Sequence, residues 1–148
     1  MPSIIPSYIY TLFASIIVGT LIISMCGLTV ANVKREAEEQ QLSSIAEYVA
    51  VKSMELASHA TTDNSTSTVN LEVPSAIGNQ RYWIQVKNDS SKAWAEAGFG
   101  TTVTSSEKRT YMPTEVAASG TFISGSGTAF LQFTSDAGVA SITLYGGS

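Results

Sequence analysis

Met1 to Val33 form an unbroken run of 33 residues with no Asp, Glu, Lys or Arg. About 20 apolar residues in a helix cross the hydrocarbon core of a bilayer, so this run is long enough to do so. Its apolar positions include Ile4, Ile5, Tyr8, Ile9, Leu12, Phe13, Ile16, Ile17, Val18, Leu21, Ile22, Ile23 and Met25. Placed on a helical wheel they leave no polar face. A helix that is apolar all round has to be buried all round, in lipid or among other helices.

Little inside the run opposes helix. Pro2 and Pro6 stand at its start, where the first-turn N–H groups lack partners in any case. Ser7, Thr11, Ser15, Thr20, Ser24 and Thr29 can return their hydroxyls to carbonyls one turn back, which satisfies them in an apolar setting. Gly19 and Gly27 are not spaced as GxxxG, so they do not specify a helix dimer.

At Lys34 the composition changes without a break. Residues 34–58 (KREAEEQQLSSIAEYVAVKSMELAS) lack Pro and Gly and are rich in helix formers. Leu42, Ile45, Ala46, Val49 and Leu56 follow amphipathic spacing. The expectation is one continuous helix from about Pro6 to about Ser58, on the order of 80 Å long. Lys34–Glu38 and Arg35–Glu39 have the spacing of helical ion pairs, each contributing a few tenths of a kcal/mol.

Beyond Thr61–Thr68 (TTDNSTST), a polar loop by composition, strand signals dominate. Alternating segments run over Ser67–Val73, Arg81–Lys87, Trp94–Phe99 and Thr101–Thr104. Others run over Glu115–Ala118, Gly120–Ser124, Ala129–Thr134 and Ala140–Tyr145. Gly78-Asn79, Gly125-Ser126-Gly127 and Asp136-Ala137-Gly138 separate them as turns, and Glu107–Arg109 reads as a charged turn. The core is expected at Phe122, Phe130, Leu131, Phe133, Val139, Ile142, Leu144 and Tyr145. The fold class is therefore α+β: a long helix over 1–60, then a small antiparallel β-sandwich-like head over 61–148.

Several functions find no support. The net charge is −4 and no Lys/Arg-rich run exists, so nucleic acid is not an expected partner. Cys26 is the only cysteine and His59 the only histidine, so neither a disulfide nor a zinc site is expected. No cofactor is expected. There is no GxSxG elbow, and Glu96, Glu107, Glu115 and Asp136 read as solvated loop charges, so no catalytic residues are assigned. Tyr82, Trp83, Trp94 and Tyr111 read as packing residues, with a carbohydrate-binding surface as the alternative. Asn64-Ser65-Thr66 and Asn88-Asp89-Ser90 are glycosylation sequons in expected loops, so Asn64 and Asn88 are candidate glycan acceptors on an exported chain.

The layout resembles the archaeal type IV pilin-like proteins, which include adhesive pilins and archaellins. The resemblance rests on the uncharged N-terminal run, its amphipathic continuation and the β head. Residues Val69 to Val86, with Pro74, Ile77-Gly78 and Tyr82, are also similar to a strand–Pro–IleGly–Tyr–strand pattern in exported proteins of that kind. Ile5 stands where bacterial type IV pilins carry an acidic residue, which is compatible with an archaeal relative. The family pattern includes a basic leader with a processing site, so the resemblance implies either that one has been removed before Met1 or that the start of this chain is atypical.

The resemblance implies a subunit that rests in the membrane before assembly and then polymerises with copies of itself into an extracellular adhesive filament. Ile4, Ile5, Tyr8, Ile9, Leu12, Phe13, Ile16, Ile17, Leu21, Ile22 and Met25 would form the filament core, and the heads would form an outer surface that carries glycans. A single-pass anchored β domain, such as a minor pilin or a stator-like archaellum component, is the alternative. A tethered sugar-binding domain is a further one.

Overall fold

The structure is a computed structural model that describes residues 4–59, 65–106, 108–112, 116–136 and 138–147, with side chains in the first helix described from Ser7 to Ser58. One helix, α1 (Ile4–His59), is followed by seven strands: β1 (Ser65–Leu71), β2 (Tyr82–Asn88), β3 (Ala93–Phe99), β4 (Arg109–Met112), β5 (Ala117–Ile123), β6 (Thr128–Asp136) and β7 (Val139–Gly147). The expected α+β architecture is therefore observed. The helix continues without a break where its composition changes at Lys34.

The chain divides into two compact units, Met1–Ala37 and Glu38–Ser148. The secondary structure changes after His59, but the packing boundary lies 22 residues earlier. The amphipathic half of α1 is thus part of the head's own core. Ile45, Ala46, Val49, Ala50 and Leu56 are buried there, with Leu42 partly buried beside them. Ser53 is also buried, and its hydroxyl donates to the Val49 carbonyl at 2.7 Å, so a small polar residue reaches the interior without an unmet donor.

The strands form one seven-stranded sheet in the order β1-β6-β7-β5-β2-β3-β4. The expected β-sandwich is not formed among the described residues: the head has this one sheet, and the second half of α1, not a second sheet, covers its apolar side. All pairings are antiparallel except β5–β7. The exception follows from the connections. β5 and β6 are joined by the short turn over 124–127 and run in opposite directions; β7 returns from β6 as a hairpin and lies between the two, so it runs parallel to β5.

Period-two alternation sorts the sheet's two faces. Tyr82, Ile84 and Val86 of β2 and Ala93, Ala95 and Ala97 of β3 enter the core. So do Ala118 and Phe122, Ala129, Leu131 and Phe133, and Ile142 and Leu144. Three expected core residues do not. Phe130 and Tyr145 neighbour Leu131 and Leu144 in the chain, so they must point to the opposite face, where their rings stack 5.7 Å apart. Val139 opens β7 and is 64% exposed.

Two local expectations also change. Thr101–Thr104 forms no strand, and β4, which was not expected, begins at Arg109, the last residue of the expected charged turn. The segments on either side of Ser119 are one strand, β5. Its first half pairs with β7 and its second half with β2. Gly120, at φ 119°, sits at the changeover.

Candidate assembly surface

Between Tyr8 and Val33, 15 large apolar side chains are exposed. They include Tyr8, Ile9, Leu12, Phe13, Ile16, Ile17, Leu21, Ile22 and Met25, whose exposure runs from 46% to 71%. Ile4 and Ile5 belong to the helix, but their side chains lie outside the described residues. Fully burying a large apolar side chain contributes about 1.5–3 kcal/mol, and since these are roughly 60% exposed, covering this surface is worth on the order of 20 kcal/mol gross. A whole domain is stable by only about 5–15 kcal/mol. Contact with water is thus a state this segment must leave, by entering lipid or by packing on other apolar surfaces.

The backbone and side-chain polar groups are compatible with either environment. Helical hydrogen bonding satisfies the main chain internally. Thr11 donates to the Ser7 carbonyl at 3.0 Å, Ser15 to Thr11 at 2.8 Å and Ser24 to Thr20 at 2.8 Å. Thr20 donates to the carbonyls of Ile16 and Ile17, and Thr29 to that of Met25. The expected back-bonding is therefore present, and these hydroxyls bring no unmet donor into an apolar setting. The helix is long and apolar enough to cross a membrane.

On the head, the face of β2–β3–β4 turned away from the core carries a second group of side chains. Register places Gln85 opposite Glu96 and Glu96 opposite Arg109 in one row. Lys87, Trp94 and Tyr111 form the next row. Lys87 Nζ lies 2.7 Å from Glu96 Oε1, and Arg109 Nε lies 4.0 Å from Glu96 Oε2. Arg109 also stands over the Trp94 ring at 4.8 Å, Trp94 meets Tyr111 at 6.1 Å, and Lys92 Nζ stands 5.6 Å from the Tyr111 centroid. Glu96 is 1% exposed, so it is not a solvated loop charge as expected, but the buried anion of this cluster. Its alternation with Ala95 and Ala97 was the available signal, since that pattern puts Trp94, Glu96 and Gly98 on one face.

The remaining expected sites separate. Tyr82 is a core residue, whereas Trp83 and Trp94 are buried on the outer side. Asn88 is exposed and ends β2 instead of lying in a loop, next to the β2–β3 hairpin turn. Asp89 closes that turn by accepting from the backbone N–H groups of Ser91 and Lys92, which hold its carboxyl below the usual carboxylate range. Asn64 lies outside the described residues. Comparison with protein-family models, with curated proteins and with solved structures finds no match.

Proposed function

We propose that this chain is the structural subunit of an extracellular helical filament of the archaeal type IV pilin-like kind. The observation that carries the proposal is the continuity of α1. A single helix has an uncharged first half exposed on all sides and a second half built into the core of a β head. A bilayer anchor requires about 20 apolar residues and no continuation into the fold. A subunit that must carry its head at a fixed position along a helical core benefits from an unbroken helix running into that head.

Before assembly the first half of α1 would be solvated by lipid. In the filament, the same side chains would pack against those of neighbouring copies. Head-to-tail contacts of this kind between unlike surfaces propagate as an open helix when the rotation between successive copies does not close a ring. The heads would form the outer surface, with Asn88 exposed to modification.

Charge placed in the apolar run tests this. Ile16→Arg adds about 2.5–3.5 kcal/mol to membrane insertion at a helix centre. In a filament core that cost recurs in every subunit. The expected outcome is that cells producing the variant carry no filaments containing it, whereas Val51→Arg, on the exposed side of α1 within the head's unit, leaves assembly intact. Unchanged filament yield from the Ile16 variant would remove the helix from the assembly interface.

A further inference from the structure

We infer that the outer face of β2–β3–β4 is a binding site for an acidic saccharide, with Arg109, Lys92 and Tyr111 as the residues that meet it. This does not depend on the filament reading, since the head would present the same face as an anchored monomer.

The charge of the face sets it apart from the rest of the chain. Lys87, Lys92 and Arg109 converge on one side of the sheet, and among the described residues Glu96 is the carboxylate placed between them, with Asp89 beside Lys92 at the rim. Asp89, at the adjoining hairpin, is turned onto the backbone amides of its own turn. Yet the whole chain carries −4. A positive patch on an acidic protein attracts anions locally while the bulk of the surface repels them.

Its hydrogen-bonding capacity is only partly used. Lys87 is committed to Glu96 at 2.7 Å. Arg109 reaches Glu96 only through Nε at 4.0 Å, and its terminal N–H groups have no hydrogen-bond partner among the described residues. Lys92 forms no salt bridge among the described residues, although its charge acts on the neighbouring Asp89 carboxylate, and it is held over the Tyr111 ring. Beneath them, Trp94 Nε1 and Gln85 Oε1 are buried without partners. The Trp94 ring, 4.8 Å from Cζ, holds the guanidinium on this face, and arginine's planar fork is the group that recognises carboxylate and sulfate through paired N–H···O bonds.

The aromatic component favours a sugar over other anions. Tyr111 is 52% exposed on this face. The C–H groups of a pyranose ring complement the negative face of such an aromatic ring. Nucleic acid would call for a longer basic track than three cations beside one open ring. An anionic lipid surface would call for exposed aliphatic side chains, and the residues of this patch are polar or aromatic. One sugar ring against Tyr111 with its carboxylate or sulfate toward Arg109 and Lys92 uses every component.

The test uses the full chain in detergent, where polymerisation does not enter. Binding is read by light-scattering titration or surface capture against polygalacturonate, dextran sulfate and uncharged dextran at near-physiological salt. The expected result is saturable binding to one or both polyanions and none to dextran. Carboxylated and sulfated sugars are then told apart by which of the two binds. Lys92→Gln and Tyr111→Leu, both at exposed positions, should each weaken binding on the order of five-fold with the thermal midpoint unchanged. Arg109→Lys should weaken it too, since charge is kept but the planar fork is lost. Equal affinity for dextran, or polyanion binding unaltered in the Lys92 and Tyr111 variants, would overturn the assignment.

Discussion

Trp83 occupies the space in which a side chain at Gly98 would begin. A Cβ placed on Gly98 would stand 2.5 Å from Cζ2 and 2.6 Å from Cε2 of the indole. The two residues face each other across the β2–β3 ladder. The absence of a side chain on β3 is therefore what allows a tryptophan of β2 to lie 2% exposed on the outer face. Gly98→Ala should displace the indole and destabilise the head by about 1–3 kcal/mol, the usual cost of overpacking. Urea unfolding followed by tryptophan fluorescence would show both the lower midpoint and an altered native spectrum.

Gly120 is under a stricter constraint. Its φ of 119° is a conformation that residues with a side chain rarely adopt, and a Cβ there would collide with the backbone of Leu144. Backbone cannot yield as a side chain can. Gly120→Ala should cost about 3 kcal/mol or more, combining strain with the steric conflict. Because β5 changes partner at this position, amide exchange should accelerate on both sides, in β7 and in β2.

Glu96 links three strands through its two oxygens. Replacing it by Ala removes a charge-assisted hydrogen bond and leaves Lys87 and Arg109 without their shared anion. Both partners are 42% exposed and can be hydrated, so the loss should stay near 1–3 kcal/mol. Glu96→Gln should recover part of it. Equilibrium denaturation of the two variants against the parent chain measures the difference.

Tyr82 provides a pH dependence. Its ring is fully buried, its hydroxyl donates to the Pro74 carbonyl, and burial pushes its pKa up to about 12 from 10.0. Between those values the unfolded chain releases the phenol proton while the folded chain keeps it. The stabilisation is therefore complete below pH 10 and is lost as pH rises toward 12. Tyr82→Phe should unfold more easily than the parent at neutral pH, by about 1 kcal/mol for the lost hydrogen bond. The gap in urea midpoint should narrow across the alkaline window.

Much of this architecture was legible in the sequence because its strongest signals are local. An uncharged run around the whole helical circumference, then Leu42, Ile45, Ala46, Val49 and Leu56 on one face, can belong only to a helix that changes surroundings. Strand alternation likewise located Leu131 and Phe133 of β6 and Ile142 and Leu144 of β7 in the core. What could not be read was pairing. Nothing around Arg109 announces a strand, because β4 is four residues long and is held by its partner β3. Phe130 and Tyr145 look like core by composition, but they stack on the outer face because their chain neighbours point inward. The Glu96 cluster needed register between three strands, which no single segment encodes.

The central claim is that the apolar half of α1 is buried among copies of itself. Electron microscopy of material sheared from the source cells, with mass spectrometry of the purified filaments, tests it most directly. Assembly through α1 gives uniform filaments whose main component is this chain, with the residues of Tyr8–Met25 packed against neighbouring subunits along the axis. Recovery of the chain only in the membrane fraction, with no filament containing it, would contradict the account and leave a membrane-anchored β domain.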